Sequence, residues 1–308
     1  IQRLKREGVF AGIRAVWNPR AFHYQSAWVA FRIGQEGRSL DEAALKALWE
    51  HPGVIYGCER EHQFNVWFFI AAPEDHDLEL HVRCLEKIVG AQRVLFLPVR
   101  KVLKGVDPLT FLDAGMSLSA LEASREKRKQ VSFGVLTPEE IGMIRQLQRP
   151  FPLTDEPYQR IAMDLGISEA QALERMRSLV HKKCLKWIGS FLKPLPEFQG
   201  ISKLVVWQIP EEKLERIGPD IAAFREITYA DRKPSYPEFP YSLYTVIRTA
   251  HEMELEVVTR RLEDRIGKWP HRGLVTLREF KKEPMNYFPQ ELDLWWRSSR
   301  HMAETAFN

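Results

Sequence analysis

A chain of 308 residues, 44% hydrophobic and 28% charged, has the composition of an ordinary globular protein and the length of about two domains. A net charge of +4 favours an anionic ligand but is too small to argue for nucleic acid by itself. Three scattered cysteines, Cys58, Cys84 and Cys184, argue against a disulfide framework or structural zinc and for a reducing, cytoplasmic setting, and no apolar run approaches the ~20 residues of a membrane helix.

Residues 1–20 read as a helix end followed by a wing strand, with Leu4, Val9, Phe10, Ile13 and Val16 alternating imperfectly around Gly8 and Gly12. Ile1 in first place leads us to expect that the chain begins inside a longer protein. Residues 22–33 (FHYQSAWVAFRI) are rich in aromatic and β-branched side chains and predict a strand ended by Gly34. A helix is expected from Ser39, with Asp41 and Glu42 in its first turn, Leu40, Ala44, Leu45 and Leu48 at helical spacing, and Pro52-Gly53 as its stop. Residues 54–70 (VIYGCEREHQFNVWFFI) predict a hairpin, in which a β-branched run breaks into a polar loop and returns as an apolar strand. Residues 76–89 place Leu78, Val82, Leu85, Ile88 and Val89 on one helical face. Residues 93–103 (RVLFLPVRKVL) predict one strand, whose Pro98 marks a sheet edge or bulge. The order β-α-β-β-α-β is the ferredoxin-like arrangement, an antiparallel sheet with two helices on one face.

A connector with a mixed-charge run (EASREKRKQ) then leads to short helices. Thr137, Pro138 and Glu140 spell a capped helix start, Gly166 a turn, and Ser168 to Gln171 a second cap, which together predict a helix-turn-helix. Residues 185–192 (LKWIGSFL) read as its wing. From residue 201 the first pattern returns: strand, helix, a hairpin over 227–247 (ITYADRKPSYPEFPYSLYTVI), helix, and a last strand at 273–280. The fold class is therefore α+β: tandem ferredoxin-like βαββαβ domains with a winged helix-turn-helix between them. The expected segments are a helix-turn-helix remnant at 1–20, domains at 21–105 and 201–283, a connector at 106–135, the winged helix-turn-helix at 136–200, and a tail at 284–308 containing Trp295 and Trp296.

This layout resembles the Lrp/AsnC regulators, and its details resemble one branch of them, the siroheme decarboxylases of alternative haem and haem d1 biosynthesis. The stretch 147–168 (LQRPFPLTDEPYQRIAMDLGIS) is similar to the signature of their helix-turn-helix. Residues 236–241 (YPEFPY) and Leu243 resemble their YPdwPYNLf loop, and Arg60, Asn65 and Trp67 fit the R…yNLWF signature of the sister subunit. The resemblance covers nearly the whole chain and implies both subunit types fused in tandem. The family's hairpin begins HNYxR or HCYxR. Here the His position is Tyr56 or Tyr229, the Tyr position Cys58 or Asp231, the Arg position Arg60 or Lys233, and the loop Asn is Ser242.

The resemblance implies siroheme as the substrate, with no cofactor required and no metal site of the protein's own. Siroheme carries eight carboxylates on a flat apolar ring, so its site needs cations and aromatic walls. Loss of carbon dioxide from a ring acetate leaves electron density that a proton must quench. Tyr56, Tyr229 and His62 are the candidate catalytic donors, and Arg60, Asn65, Trp67, Arg232, Lys233, Tyr236 and Tyr241 the candidate substrate contacts. The competing structural readings are pairing across a hairpin for Arg60, sheet core for Trp67 and Phe68, and an inert small apolar residue for Cys58.

Two other function classes compete. A DNA-binding regulator would use the helix-turn-helix, but residues 136–190 hold eight basic against seven acidic side chains, and the recognition helix carries Glu169 and Glu174 where phosphates would lie. No DNA and no membrane partner is expected, and a homodimer is compatible with the sequence. A non-catalytic tetrapyrrole-binding relative is the third class, motivated by the tyrosines at both family histidine positions.

Overall fold

The computed structural model describes residues 3, 6–34, 42–105, 134–192 and 200–306; the expected helix start at Ser39 and most of the connector lie outside these. The strands are β1 (Phe10–Trp17), β2 (Tyr24–Arg32), β3 (Val54–Arg60), β4 (Val66–Pro73), β5 (Arg93–Leu97), β6 (Lys101–Lys104), β7 (Leu185–Leu192), β8 (Ile201–Trp207), β9 (Ile227–Arg232), β10 (Leu243–Thr249), β11 (His271–Leu274) and β12 (Thr276–Lys282). The helices are α1 (Glu42–Glu50), α2 (Leu78–Val89), α3 (Pro138–Leu147), α4 (Pro157–Leu165), α5 (Glu169–His181), α6 (Glu211–Ala223), α7 (Glu252–Ile266) and α8 (Gln290–Ala306). They form two compact units, one of residues 1–24, 108–195 and 284–294, the other of residues 25–107, 196–283 and 295–308.

The first unit is the winged helix-turn-helix. Thr137 and Glu140 form the capping box that starts α3, and Ser168 and Gln171 the one that starts α5. Gly166, in the left-handed region at φ 66°, ends α4. The Glu140 carboxylate is buried, so its charge needs partners. It accepts from Ser178 at 2.7 Å and Lys182 at 2.6 Å, which fastens α3 to α5. The wing β7 pairs antiparallel with β1, so the two segments read as wing strands form one ribbon.

The second unit holds two five-stranded sheets, ordered β12-β3-β4-β2-β5 and β11-β8-β10-β9-β6. The sequence reading needs correction at both final strands. Each splits in two, and the second piece joins the sheet of the other half. Residues 93–97 pair with β2, whereas β6 pairs with β9, Lys101 lying opposite Arg232. Likewise β11 pairs with β8, whereas β12 pairs with β3, Thr276 lying opposite Arg60. Pro98 has no N–H to continue a ladder, and the strand stops there. The two halves are thus strand-exchanged rather than self-contained.

One core cluster, with Trp207, Leu214, Ile221, Leu255 and Leu262, lies between the second sheet and its helices. Another takes Cys58, Trp67 and Leu97 from one half and Val206, Phe239 and Tyr244 from the other. Phe239 is fully buried, and fully burying such a side chain contributes about 1.5–3 kcal/mol.

A buried chain of imidazoles lies beside the first sheet. His51 Nδ1 accepts the Gly53 N–H at 3.0 Å, which leaves the His51 proton on Nε2. His51 Nε2 lies 3.1 Å from His81 Nδ1, and His81 Nε2 lies 3.4 Å from His76 Nδ1, so one backbone bond sets the donor direction along the row. Trp295 and Trp296 of α8 stack on His81 at 4.7 and 4.5 Å. Burial, reinforced by neighbouring His76, pulls the His81 pKa down to about 3, and burial lowers that of His51 as well. The tail the sequence left unplaced is this helix. No described helix is long and apolar enough to cross a membrane.

Candidate active site

In the second half, alternation along β9 sends Tyr229, Asp231 and Lys233 to one face and Arg232 to the other. Asp231 and Lys233 are both buried and paired with each other, and Tyr229 donates its hydroxyl to Asp231 at 2.8 Å. The Lys233 ammonium also lies 4.3 Å from the centre of the Tyr244 ring. Arg232 is buried against α6, where it donates to Glu215 at 2.6 Å and to Glu211 at 2.5 Å.

These strand ends open on a cleft of about 420 Å³. Its lining includes Arg100 and Arg232, with Gln208, Ser242 and the Trp269 ring, and also Lys233, whose ammonium is held by Asp231 over the Tyr244 ring. The strand exchange places Arg100 there, because its N–H donates to the Arg232 carbonyl at 2.8 Å as the chain enters β6. Ser242 donates its hydroxyl to the Ile209 carbonyl at 2.5 Å and accepts the Lys233 N–H on its own carbonyl at 3.0 Å. Glu215, held by Lys101 and Arg232, has its carboxyl below the ordinary range. The cleft has the volume of a ligand pocket, with cations and a ring as walls.

Of the residues singled out from sequence, Arg232 and Lys233 line this cleft, and Tyr229 stands behind Lys233 through Asp231. The others lie in the hairpin loops and in the first half. Tyr236 donates to the Phe96 carbonyl at 2.6 Å, and Tyr241 packs edge-on against Phe239 at 4.8 Å. Phe239 reaches into the first half, with ring centres 5.4 Å from His62 and 5.7 Å from Trp67. Gln63 donates to the Glu238 carbonyl at 3.1 Å, so the two hairpin loops meet.

In the first half Tyr56 donates to Glu279 of the exchanged strand at 2.8 Å, and burial holds its pKa far above the usual phenol range. Arg60 is buried and donates to the Leu274 carbonyl at 3.3 Å and to Thr276 at 3.1 Å, at the turn where β11 gives way to β12. Among the described residues its Nε has no hydrogen-bond partner, and its guanidinium lies 5.5 Å from the Trp67 ring centre. His62 accepts the Phe64 N–H, and burial, helped by Arg272, lowers its pKa to about 4, so it is neutral at pH 7. Asn65 clips the Ile33 backbone from both sides, donating at 2.9 Å and accepting at 3.0 Å. Trp67 is buried and donates to the Phe64 carbonyl at 2.8 Å, and Cys58 is a buried thiol whose pKa burial raises. Arg100, Gln208, Trp269 and Glu211 were not singled out from sequence. The break at Pro98 was the available signal for Arg100.

With this geometry in place, comparison with known proteins is informative. The family model of the AsnC-like ligand binding domain matches residues 23–104 and 200–281, and that of the siroheme decarboxylase NirDL-like HTH domain matches residues 140–185. Siroheme decarboxylase from Hydrogenobacter thermophilus is 27% identical over 301 residues, 96% of this chain and 86% of that protein. The siroheme decarboxylase beta subunit of Methanosarcina barkeri is 27% identical over 143 residues, 46% of this chain and 94% of that subunit. The crystal structure of the siroheme decarboxylase NirDL in co-complex with iron-uroporphyrin III analogue has the same fold, with a TM-score of 0.71 and 23% identity over 98% of this chain and 87% of that one. With more than half of its length in two such domains, one on either side of a helix-turn-helix, this chain belongs to the family of the AsnC-like ligand binding domain.

Proposed function

We propose that this chain is a siroheme decarboxylase that takes its substrate's carboxylates at the cleft between β9 and α6. The observation that carries the reading is the convergence of Arg100 and Arg232 on one cleft walled by Trp269 and lined also by Lys233, in a chain similar along 96% of its length to the Hydrogenobacter thermophilus siroheme decarboxylase. Siroheme is the substrate here, not a resident cofactor. An acetate side chain loses carbon dioxide, the C–C bond's electron pair stays on the methylene carbon, and a proton converts that carbon to a methyl group.

The cations bind and orient the carboxylates that stay, and the ring of Trp269 supplies an apolar wall. We assign proton donation to Lys233, one of the residues that line the cleft. Asp231 holds it in place and also accepts from Tyr229, so phenol, carboxylate and ammonium form one buried hydrogen-bonded group. In this reading Tyr229 steadies the donor rather than replacing the family's imidazole directly. The helix-turn-helix is not assigned to DNA. The first turn of α5 carries Glu169 and the exposed face Glu174, which repel phosphate.

The test is anaerobic incubation of the purified protein with siroheme, followed by absorbance and product mass. Loss of one or two carbon dioxide units, greatly slowed in Arg232→Ala and Lys233→Ala, is the expected result. A spectral shift with unchanged mass would leave a binding protein in place of an enzyme.

A further inference from the structure

The cleft's buried cations are neutralised in two different ways. Lys233 is paired with Asp231, which is itself wholly buried and cannot move to water. Arg232, whose side chain is only 10% exposed, is paired with Glu211 and Glu215, which are 63% and 56% exposed. Glu215 has a second tie, to Lys101 at 2.5 Å on the neighbouring strand. Glu211 has a looser one, to Arg100 at 3.4 Å. Glu211 thus occupies one arm of the guanidinium fork, lines the cleft, and is the carboxylate most easily released to solvent.

We propose that Glu211 is a stand-in carboxylate: it satisfies Arg232 while the cleft is empty and swings out when a carboxylate of the ligand takes its place. The proposal rests on the reading of the cleft as a polycarboxylate site. Glu215 fills only one arm of the fork, and a buried second arm left without an acceptor is costly, so that arm needs an anion of its own. Exchange of one carboxylate for another on the same fork preserves the pairing, and an exposed glutamate is rehydrated at little cost. The incoming group competes with a tethered one at a high effective concentration. A ligand already anchored by another carboxylate on Arg100, which is half exposed, competes on equal terms. Glu211 therefore weakens ligand binding, and removing its charge tightens it.

The experiment titrates the full chain with uroporphyrin III, an octacarboxylate, and reads the quenching of tryptophan fluorescence. It compares the unaltered chain with Glu211→Gln and with Glu212→Gln. Glu212 is the adjacent exposed glutamate and does not line the cleft, so its variant removes the same charge from the same helix turn. Glu211→Gln is expected to lower Kd about fivefold, the size of one carboxylate–guanidinium attraction in a largely solvated setting, and Glu212→Gln to leave it unchanged. Equal tightening in both variants would show a general charge effect and overturn the proposal. So would an unchanged or higher Kd in Glu211→Gln. If the unaltered chain binds uroporphyrin III and Glu211→Gln does not tighten it, only the stand-in role fails. If the unaltered chain does not bind at all, the cleft assignment fails with it.

Discussion

Lowering the pH from 7 to 5 should destabilise this protein through its buried imidazoles, and His81 sets the scale. Its folded pKa is about 3, against an ordinary value of 6.5 for an unfolded chain. The folded value is the lower one, so the stability is fully present above pH 6.5 and is lost as pH falls toward 3. At pH 5 the unfolded imidazole is almost wholly protonated while the folded one is still neutral, and the difference is about 2 kcal/mol for this one side chain. The figure depends little on the folded value as long as that value stays below about 4. His51, lowered in the same direction, and His62, at about 4, add losses of the same sign. The groups facing His81 are His51, His76, Trp295 and Trp296, and Lys281 adds its positive charge near His51. Urea denaturation followed by tryptophan fluorescence at pH 7 and pH 5 would measure the effect. His81→Gln is expected to be less stable than the unaltered chain at pH 7, having lost part of the imidazole row. Its further loss on going to pH 5 should be smaller by about 2 kcal/mol. Equal losses in the two proteins would refute the reasoning.

Phe239→Ala should cost about 3–5 kcal/mol in urea denaturation, because the ring is fully buried among side chains of both halves. Asn65→Ala removes two hydrogen bonds to the Ile33 backbone and should cost about 2 kcal/mol while leaving uroporphyrin III binding intact, as a titration will show. A chain divided within residues 106–133 should give two pieces that each lack a sheet strand alone and form a one-to-one complex when mixed, read by size-exclusion chromatography, since each piece carries the strand that the other half's sheet requires.

The order of elements was legible because each signal was local. Capping residues, a left-handed glycine and two alternating hairpins are written within a few residues of where they act. The exchange of strands was not. Residues 93–103 keep one β pattern across Pro98, and a pattern of side chains cannot state which sheet provides the hydrogen bonds. The cleft was half legible for the same reason. Arg232 and Lys233 stand at the end of a hairpin strand and were singled out, but Arg100 arrives from the other half, and Gln208 and Trp269 come from strand and helix ends. Asn65 and Trp67 show the opposite limit: residues in a hairpin signature also fasten the hairpin, and sequence alone does not separate the two tasks.

Strand exchange within one polypeptide has a consequence for symmetry. Two identical subunits that lent each other a strand would have to carry the same residue at every equivalent position. Here the equivalent positions are free to differ. Cys58 lies opposite Trp67 in the first half, and Asp231 lies opposite Tyr244 in the second. Arg60 braces the turn between β11 and β12, while its counterpart Lys233 pairs with Asp231 beside a cleft. Joining the halves also removes the dilution penalty of two-body assembly, so a substitution that weakens one side of the pair does not dissociate it. In the reading proposed above, one half is thereby free to serve as scaffold while the other keeps a charged opening, a division of labour that a symmetric pair cannot reach by any single change.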